Sequence, residues 1–135
     1  MKFELVNNLI VVDATMNGSS VSMILDTGAA ATIISQEVAQ ELDLKKAEVT
    51  CEGMGAGGNV EFSSVEIESL VVDSVTHHAL TGMTMDMAEI CKRIDYEVGG
   101  IIGHNFLSSA KLTIDYTTQN ILLEEPQDSE NSTRQ

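Results

Sequence analysis

The sequence predicts a single all-β domain with one or two short helices. Runs of strand-forming residues alternate with turn signals along most of the chain. Apolar residues make up 43% of the chain and aromatic residues only 4%, so the core must be built from aliphatic and Met side chains. The length of 135 residues fits one compact domain. We expect this domain to span residues 1–124 and the polar residues 125–135 to form a flexible tail.

The first predicted hairpin leads into the most unusual segment of the chain. Residues 3–15, FELVNNLIVVDAT, are mostly strand formers and are interrupted by Asn7 and Asn8. Met16–Ser19 contains an Asn-Gly pair, which is a strong signal for a tight hairpin turn. The returning strand, VSMIL, therefore delivers Asp26 at its end.

The middle of the chain predicts a short helix and a second hairpin. ATIIS forms a strand, and residues 35–43 then place Val38 and Leu42 on one helical face, with Ser35 as the N-cap. The segment GMGAGG at 53–58 has four glycines in six positions. Because EVTCE and VEFSSVEIESLVV on either side alternate as strands do, we expect a hairpin with a mobile tip.

The last third of the chain predicts a helix, a buried strand and a final hairpin. Residues 82–94 favour a helix, because apolar side chains recur there at helical spacing: Met83, Met87, Ile90 and Ile94. We interpret the Met residues as core filler rather than as part of a cofactor site. VGGIIGHNFLSSA then predicts a buried strand and a short helical turn, and KLTIDYTTQNILLEE predicts the final hairpin. IIGHNFL repeats the pattern of ILDTGAA, which favours a duplicated strand-turn unit.

The composition of the chain argues against some classes of binding partner and favours one cellular location. The formal net charge of −14 comes from 21 acidic against 7 basic residues, so nucleic acid and anionic membranes are poor partners. No segment approaches the run of about 18 apolar residues needed to span a bilayer. The two cysteines, Cys51 and Cys91, lack paired ligand spacing, which favours a reduced chain. We expect a cytoplasmic protein.

Asp26 is the candidate for chemistry. A carboxylate that follows an apolar strand must be hydrogen-bonded, paired or functional, because desolvating it alone costs several kcal/mol. The simplest structural interpretation is that Asp26 caps a turn through its own backbone. The surroundings favour a function, because Thr27 offers a hydroxyl donor and Gly28 permits close approach of another backbone.

These residues resemble the motifs of the retropepsin-like aspartic protease family, and the resemblance extends from roughly residue 3 to residue 124. The family's apolar-apolar-Asp-Thr-Gly-Ala/Ser motif is matched by Ile24, Leu25, Asp26, Thr27, Gly28 and Ala29. Its glycine-bearing flap is matched loosely by Gly53, Met54, Gly55, Ala56, Gly57 and Gly58. Its downstream apolar-apolar-Gly motif is matched by Ile101, Ile102 and Gly103.

The resemblance implies a closed acid-protease barrel that works as a homodimer. The chain has one Asp-Thr-Gly, and Gly103-His104-Asn105 stands where a two-lobed enzyme would carry a second. The second carboxylate must then come from Asp26 of another copy. Two carboxylates about 3 Å apart hold one proton between them, so one acts as base and the other as acid. Activity is expected to favour acidic to mildly acidic pH, because the pair titrates as a unit.

The resemblance also assigns roles around Asp26. Thr27 would brace the two loops across the dimer, and Gly28 would approach the substrate backbone. The flap at 53–58 would close over an extended peptide or protein substrate and exclude water. The flap tip departs from the family in having an extra Gly-Gly and no aromatic residue. No metal or other cofactor is implied.

Other polar residues are given structural roles. His77 and His78 are adjacent on a strand and so point to opposite faces, which argues against a shared metal. We interpret His104 as a turn or core residue and Asp115 as a structural acid before a turn.

Two alternatives to a protease stay open. A retropepsin-like chain could bind peptides or mediate dimerisation without hydrolysis, because a fold alone does not establish a function. A monomer, inactive or activated only on assembly, is the third possibility, and the charge of −14 would weaken dimers at low salt.

Overall fold

The computed structural model of the protein describes residues 1–55 and 58–125, and it describes side chains outside residues 47–62. Within this part, the strands are β1 (Glu4–Val6), β2 (Leu9–Met16), β3 (Ser19–Leu25), β4 (Thr32–Ser35), β5 (Lys45–Gly55), β6 (Gly58–Val72), β7 (Val75–Met85), β8 (Gly100–Ile102), β9 (Lys111–Asp115) and β10 (Asn120–Glu124). The helices are α1 (Gln36–Glu41), α2 (Ala88–Ile94) and α3 (His104–Leu107). The predicted tail, from residue 126 onward, lies outside the described residues.

Six of the strands close into a barrel. The main sheet has the order β1-β2-β3-β8-β4-β7-β6-β5, and β2 also pairs with β6 through Thr15↔Val71 and Met16↔Leu70. That second pairing closes the ring β2-β3-β8-β4-β7-β6 and leaves β1 and β5 outside it. Closure pairs both edges of each strand in the ring over part of its length. The closed all-β barrel predicted from the sequence is confirmed, and its described residues form three short helices where one or two were expected.

The N-terminal hairpin is confirmed, and its turns follow from their residue types. Asn17 and Gly18 connect β2 to β3 with φ angles of 50° and 88°. Asn7 and Asn8 connect β1 to β2 with φ angles of 51° and 68°. Positive φ at both central residues matches the twist of the paired strands, and Asn and Gly adopt it most easily.

The two motif-bearing strands lie side by side. β3 pairs with β8 in parallel, with Ile24 opposite Ile101 and Leu25 opposite Ile102. β8 pairs with β4 on its other side, so Ile33 is also opposite Ile101. The repeated pattern in the sequence therefore corresponds to two neighbouring strands that end at the same edge of the barrel.

Two apolar clusters stabilise the fold. The larger one fills the barrel and includes Met16, Met23, Ile34 and Phe106, all fully buried. The smaller one lies beneath α2 and contains Val11, Ile24, Met87, Ile94 and Val98. Met side chains contribute to both clusters, as the interpretation of Met as core filler requires.

The predicted helix over residues 82–94 is wrong in its first half. Residues 82–85 belong to β7, where Met83 is opposite both Ile33 of β4 and Ser64 of β6. The helix begins only at Ala88, whose amide donates to Asp86 Oδ1 at 3.0 Å. Pairing on both sides satisfies the backbone of 82–85 as a strand, and this tertiary arrangement outweighs the helical spacing of the apolar residues.

The predicted helix at 35–43 is confirmed as α1. The Ser35 hydroxyl accepts a hydrogen bond from the amide of Val38 at 3.0 Å, which makes Ser35 the N-cap. Val38 and Leu42 pack against the barrel core. In the described part of the chain, none of the helices has the length and apolar character to cross a bilayer.

Asp115 holds the turn between β9 and β10. Its Oδ1 accepts from the Thr117 hydroxyl at 2.7 Å, from the Thr117 amide at 3.0 Å and from the Thr118 amide at 3.3 Å. These hydrogen bonds, with that of the Thr117 side chain first, lower the pKa of Asp115. The interpretation of Asp115 as a structural acid before a turn is confirmed.

Asp115→Asn is expected to lower the melting temperature by a few degrees at neutral pH and by less in acid. A lowered folded-state pKa means that the carboxylate stabilises the fold above its unfolded value of about 3.9, and that this contribution disappears as pH falls through the folded value. Thermal unfolding at neutral pH and near pH 3 measures the difference. Glu41→Gln, an exposed acid outside this turn, is the control. A loss that is equal at both pH values would contradict the assignment.

Candidate active site

Asp26 lies on the surface of the single chain, directly after β3. Its amide donates to the Ile102 carbonyl at 3.1 Å, and its carbonyl accepts from the Ala29 amide at 3.1 Å. Its carboxylate oxygen Oδ1 accepts from the Gly28 amide at 2.9 Å. The simple turn-capping interpretation is therefore correct in part, because Asp26 does bond its own loop. The side chain is nevertheless exposed, so the strand presents the carboxylate instead of burying it.

A hydrogen bond orients the Asp26 carboxylate, but no described cation neutralises its charge. Among the described residues, Oδ1 is the only carboxylate oxygen of Asp26 with a hydrogen bond, and no Lys, Arg or His lies within ion-pair distance. Oδ2 can thus face a water, a substrate or a second carboxylate. One such group can take up or release a proton, but it cannot serve as acid and base in the same step.

The residues that follow Asp26 are small and accessible. Thr27 and Gly28 are exposed, and Ala29 is half-buried. A Cβ added to Gly28 would lie 3.4 Å from Asp26 Oδ1, which is an ordinary contact. Among the described residues, no crowding requires glycine at this position. The predicted role of Gly28, close approach to a substrate backbone, stays a prediction.

The second motif lies against the Asp26 loop. Ile101 is half-buried, and Ile102 and Gly103 are buried. A Cβ on Gly103 would lie only 2.2 Å from the Ala31 carbonyl oxygen and 2.9 Å from that of Ala29. Gly103 has a φ of −113°, an ordinary extended conformation, so close approach rather than conformation requires glycine here.

Two polar residues that the sequence analysis missed connect these loops. Thr32 is fully buried, and its hydroxyl donates to Asn105 Oδ1 at 2.7 Å. Asn105 Nδ2 donates in turn to the Thr81 carbonyl at 2.8 Å. The signal in the sequence was a Thr between AAA and II, and an Asn one residue after Gly103-His104 in the repeated segment. Polar residues at such positions need partners, but the sequence does not say which.

The glycine-rich hairpin is present as the strands β5 and β6. Their antiparallel register runs through Gly53↔Val60 and Met54↔Asn59 to Gly55↔Gly58. The two remaining flap positions, Ala56 and Gly57, lie outside the described residues. The hairpin is therefore confirmed, and its closure over a substrate remains a prediction.

The histidines have structural surroundings. His77 is half-buried, with its ring centroid 5.9 Å from that of Phe106, whereas His78 is exposed. His104 opens α3, and its amide donates to the Ala29 carbonyl at 2.7 Å, as expected of a turn residue. Among the residues whose side chains the structure describes, 1–46 and 63–125, no group of three or more His, Cys, Asp or Glu is arranged to hold a metal ion.

Four cavities in the described part of the chain are lined by residues other than Asp26. The cavity between β3 and α1 has a volume of about 460 Å³, and its lining includes Ser20, Glu37 and Glu97 but not Asp26. Asp26 instead occupies an open surface. A site that excluded water around Asp26 would need further atoms from a flap, a substrate or another chain.

Comparison with known families agrees with this geometry. The family model described as "gag-polyprotein putative aspartyl protease" matches residues 12–109, which include both the Asp26 loop and the Gly103 loop. No curated protein matches the chain at a significant level.

Solved structures show the same fold. A retropepsin-like aspartic protease from Rickettsia conorii has a TM-score of 0.62 and 18% identity, covering 92% of this chain and 88% of that one. The EIAV protease in complex with the inhibitor HBY-793 has a TM-score of 0.55 and 19% identity, covering 73% and 84%. The retroviral protease-like domain of Ddi1 from Leishmania major has a TM-score of 0.57 and 16% identity, covering 85% and 87%. Because the family model spans well over half of its length, the chain belongs to the gag-polyprotein aspartyl protease family, with a retropepsin-like fold.

Proposed function

We propose that the protein is a homodimeric aspartic endopeptidase in which Asp26 of each subunit supplies one half of the catalytic pair. The observation that carries the proposal is the exposed Asp26 carboxylate, oriented through Oδ1 by Gly28 and with no described cation within ion-pair distance. The sequence contains one Asp-Thr-Gly, so a second copy is the natural source of the second carboxylate. Membership in the aspartyl protease family supports this chemistry.

The pair would divide acid and base roles between two identical side chains. The ionised Asp26 takes a proton from a bound water, and the water oxygen attacks the scissile carbonyl. The protonated Asp26 of the other subunit donates its proton to the carbonyl oxygen. Collapse of the tetrahedral intermediate then breaks the C–N bond as a proton passes to the leaving amine. Thr27 and Ala29 would let the two loops meet, and no metal takes part.

The substrate would be an extended peptide held beneath the β5–β6 hairpin. A strand-like substrate can form main-chain hydrogen bonds to a flap, which gives affinity without demanding one sequence. The similar EIAV protease is known in complex with an inhibitor, which supports a ligand site in this fold. The flap role of residues 53–58 belongs to this proposal.

The second candidate is a peptide-binding or dimerisation module without hydrolysis. The feature that favours it is the missing aromatic residue at the flap tip, together with the extra Gly-Gly. Such a module would form a stable dimer and bind peptides, but it would not cleave them at any pH. We also propose a cytoplasmic location, and the charge of −14 argues against nucleic acid and anionic membranes as partners.

A peptide-library assay from neutral to acidic pH tests the proposal, with subunit number measured by sedimentation at each pH. We expect dimers and cleavage to increase together on acidification, because protonation relieves the repulsion between two strongly acidic subunits. A statine-type mimic of the tetrahedral intermediate should block cleavage. A stable dimer that binds peptides and never cleaves them would favour the second candidate.

Subunit mixing tests the stoichiometry. If both Asp26 side chains are needed, activity should follow the square of the wild-type fraction, so an equal mixture with Asp26→Asn chains would retain about a quarter of the activity of undiluted wild type. The mixture is exchanged at low protein concentration and assayed at fixed total chain. Asp43→Asn, which alters an acid outside the Asp-Thr-Gly loop, is the matched control and should leave activity unchanged. If the cleavage activity instead fell in direct proportion to the wild-type fraction, each chain would act alone.

A further inference from the structure

The buried hydroxyl of Thr32 is the starting observation. Thr32 is the first residue of β4 and is fully buried. Its hydroxyl donates to Asn105 Oδ1 at 2.7 Å and accepts from the Gly103 amide at 3.2 Å. Both hydrogen-bonding roles of the hydroxyl are thus filled, and the loss of the oxygen would leave two polar groups unpaired.

Asn105 extends this network to a third element. Its amide oxygen accepts from Thr32, and its amide nitrogen donates to the Thr81 carbonyl at 2.8 Å in β7. One side chain therefore ties the start of β4 and the start of α3 to β7. Neither Ala nor an ionised Asp could do this, because the first has no polar group and the second has no donor.

The same short segment contacts the whole length of the Asp26 loop. The loop begins where the Asp26 amide donates to Ile102, and it is held midway where Ala29 accepts from the His104 amide. It ends at Thr32, which accepts from Gly103. All of these partners lie within residues 102–105. The position of Asp26 therefore depends on where that segment is fixed.

The backbone of β7 is strained close to Thr81, the residue to which Asn105 donates. Ala79, two residues before Thr81, has a φ of 54°, which non-glycine residues rarely adopt. Strained backbone persists only where its surroundings determine it. The bond from Asn105 to Thr81 and the contact between His77 and Phe106 lie on either side of Ala79 in β7.

We propose that Thr32 and Asn105 are positioning residues, which fix the Asp26 loop so that the carboxylates of two subunits meet at the separation needed to share a proton. This inference rests on the proposed function. Thr32 and Asn105 touch neither substrate nor the reacting atoms; they act through residues 102–105. A small displacement of a catalytic group is costly, since a shift of about 1 Å can reduce a rate by about 10²-fold.

The test compares Thr32→Val, which keeps the shape and removes the hydroxyl, with Thr32→Ser, which keeps the hydroxyl. Thr32→Val should lower kcat by about 10- to 100-fold with little change in KM, and Thr32→Ser should recover most of the loss. The matched control is Thr84→Val. Thr84 is another buried β-strand Thr, whose hydroxyl donates to the Ser63 carbonyl at 3.2 Å away from the Asp26 loop. The Thr84→Val substitution should leave kcat unchanged.

Amide hydrogen exchange at residues 26–31 gives a readout that does not require activity. Exchange there should accelerate in Thr32→Val and in the half-buried Asn105→Ala variant, and it should stay at the wild-type rate in Thr32→Ser and Thr84→Val. Asn105→Ala keeps the test decisive if Thr32→Val does not fold. Acceleration spread evenly over the barrel, or none at residues 26–31, would overturn the positioning role. If the wild-type protein never cleaves peptides but exchange at residues 26–31 still accelerates in Thr32→Val and Asn105→Ala, the proposed function is refuted. The role of Thr32 and Asn105 in fixing the Asp26 loop would still be supported.

Discussion

Replacing Asp26 with Asn is expected to reduce peptide cleavage by at least about 10³-fold while the protein stays folded. In the proposed mechanism, the substitution removes both the group that takes the proton from water and the group that donates to the carbonyl oxygen. The fold should survive because Asp26 is exposed, and the amide oxygen of Asn can still accept from the Gly28 amide. The comparison requires wild type and variant in the same peptide-library assay, with thermal unfolding measured beside it.

The Asp26→Asn experiment also separates the two candidate functions. Asp43→Asn is the control for loss of one negative charge at another exposed site, and it should cleave as wild type does. Cleavage that is the same in Asp26→Asn and wild type would end the catalytic assignment and point to a contaminating protease. The Asn variant should not cleave at any pH, including the acidic pH at which wild type is expected to be dimeric, because Asn can neither take nor donate the proton. Subunit number is measured by sedimentation beside cleavage, which separates loss of the dimer from loss of the chemistry.

The parts of the fold that could be predicted from sequence are those specified by neighbouring residues. The Asn17-Gly18 turn, the Ser35 cap and the Asp115 turn each depend on contacts within a few residues. The Asp26 loop was recognised for the same reason, since Ile24 to Ala29 form one continuous motif. Such local signals require no knowledge of how distant elements pack.

The parts that could not be predicted depend on long-range packing. The helical spacing over residues 82–94 was real, but pairing of β7 with β4 and β6 converted residues 82–85 into a strand. The bond between Thr32 and Asn105 joins residues 73 positions apart in the chain. The sequence around Thr32 and the sequence around Asn105 do not indicate that these two side chains form a hydrogen bond. The sequence could therefore indicate the candidate catalytic residue, while the long-range hydrogen bonds next to its loop became visible only in three dimensions.

Gly103→Ala is expected to abolish most cleavage and to destabilise the protein by about 1–3 kcal/mol or more, as overpacking of a tight contact typically does. The added Cβ would lie 2.2 Å from the oxygen and 2.6 Å from the carbon of the Ala31 carbonyl. Both are backbone atoms, so no side chain can rotate away and the Asp26 loop must move. Thermal unfolding and the peptide-library assay, corrected for the folded fraction, measure the two effects separately.

Gly18→Ala is the control that distinguishes contact from conformation. Gly18 has a φ of 88°, but no atom of the described residues lies within 4 Å of an added Cβ. Its substitution should cost about 1–2 kcal/mol of stability through backbone strain alone and leave cleavage per folded molecule unchanged. At Gly103 the backbone conformation is ordinary, but the loop that carries Asp26 fills the space that an added Cβ would occupy. If Gly103→Ala cleaved as well as Gly18→Ala at equal folded fraction, close apposition of the two loops would not be needed to place the carboxylate.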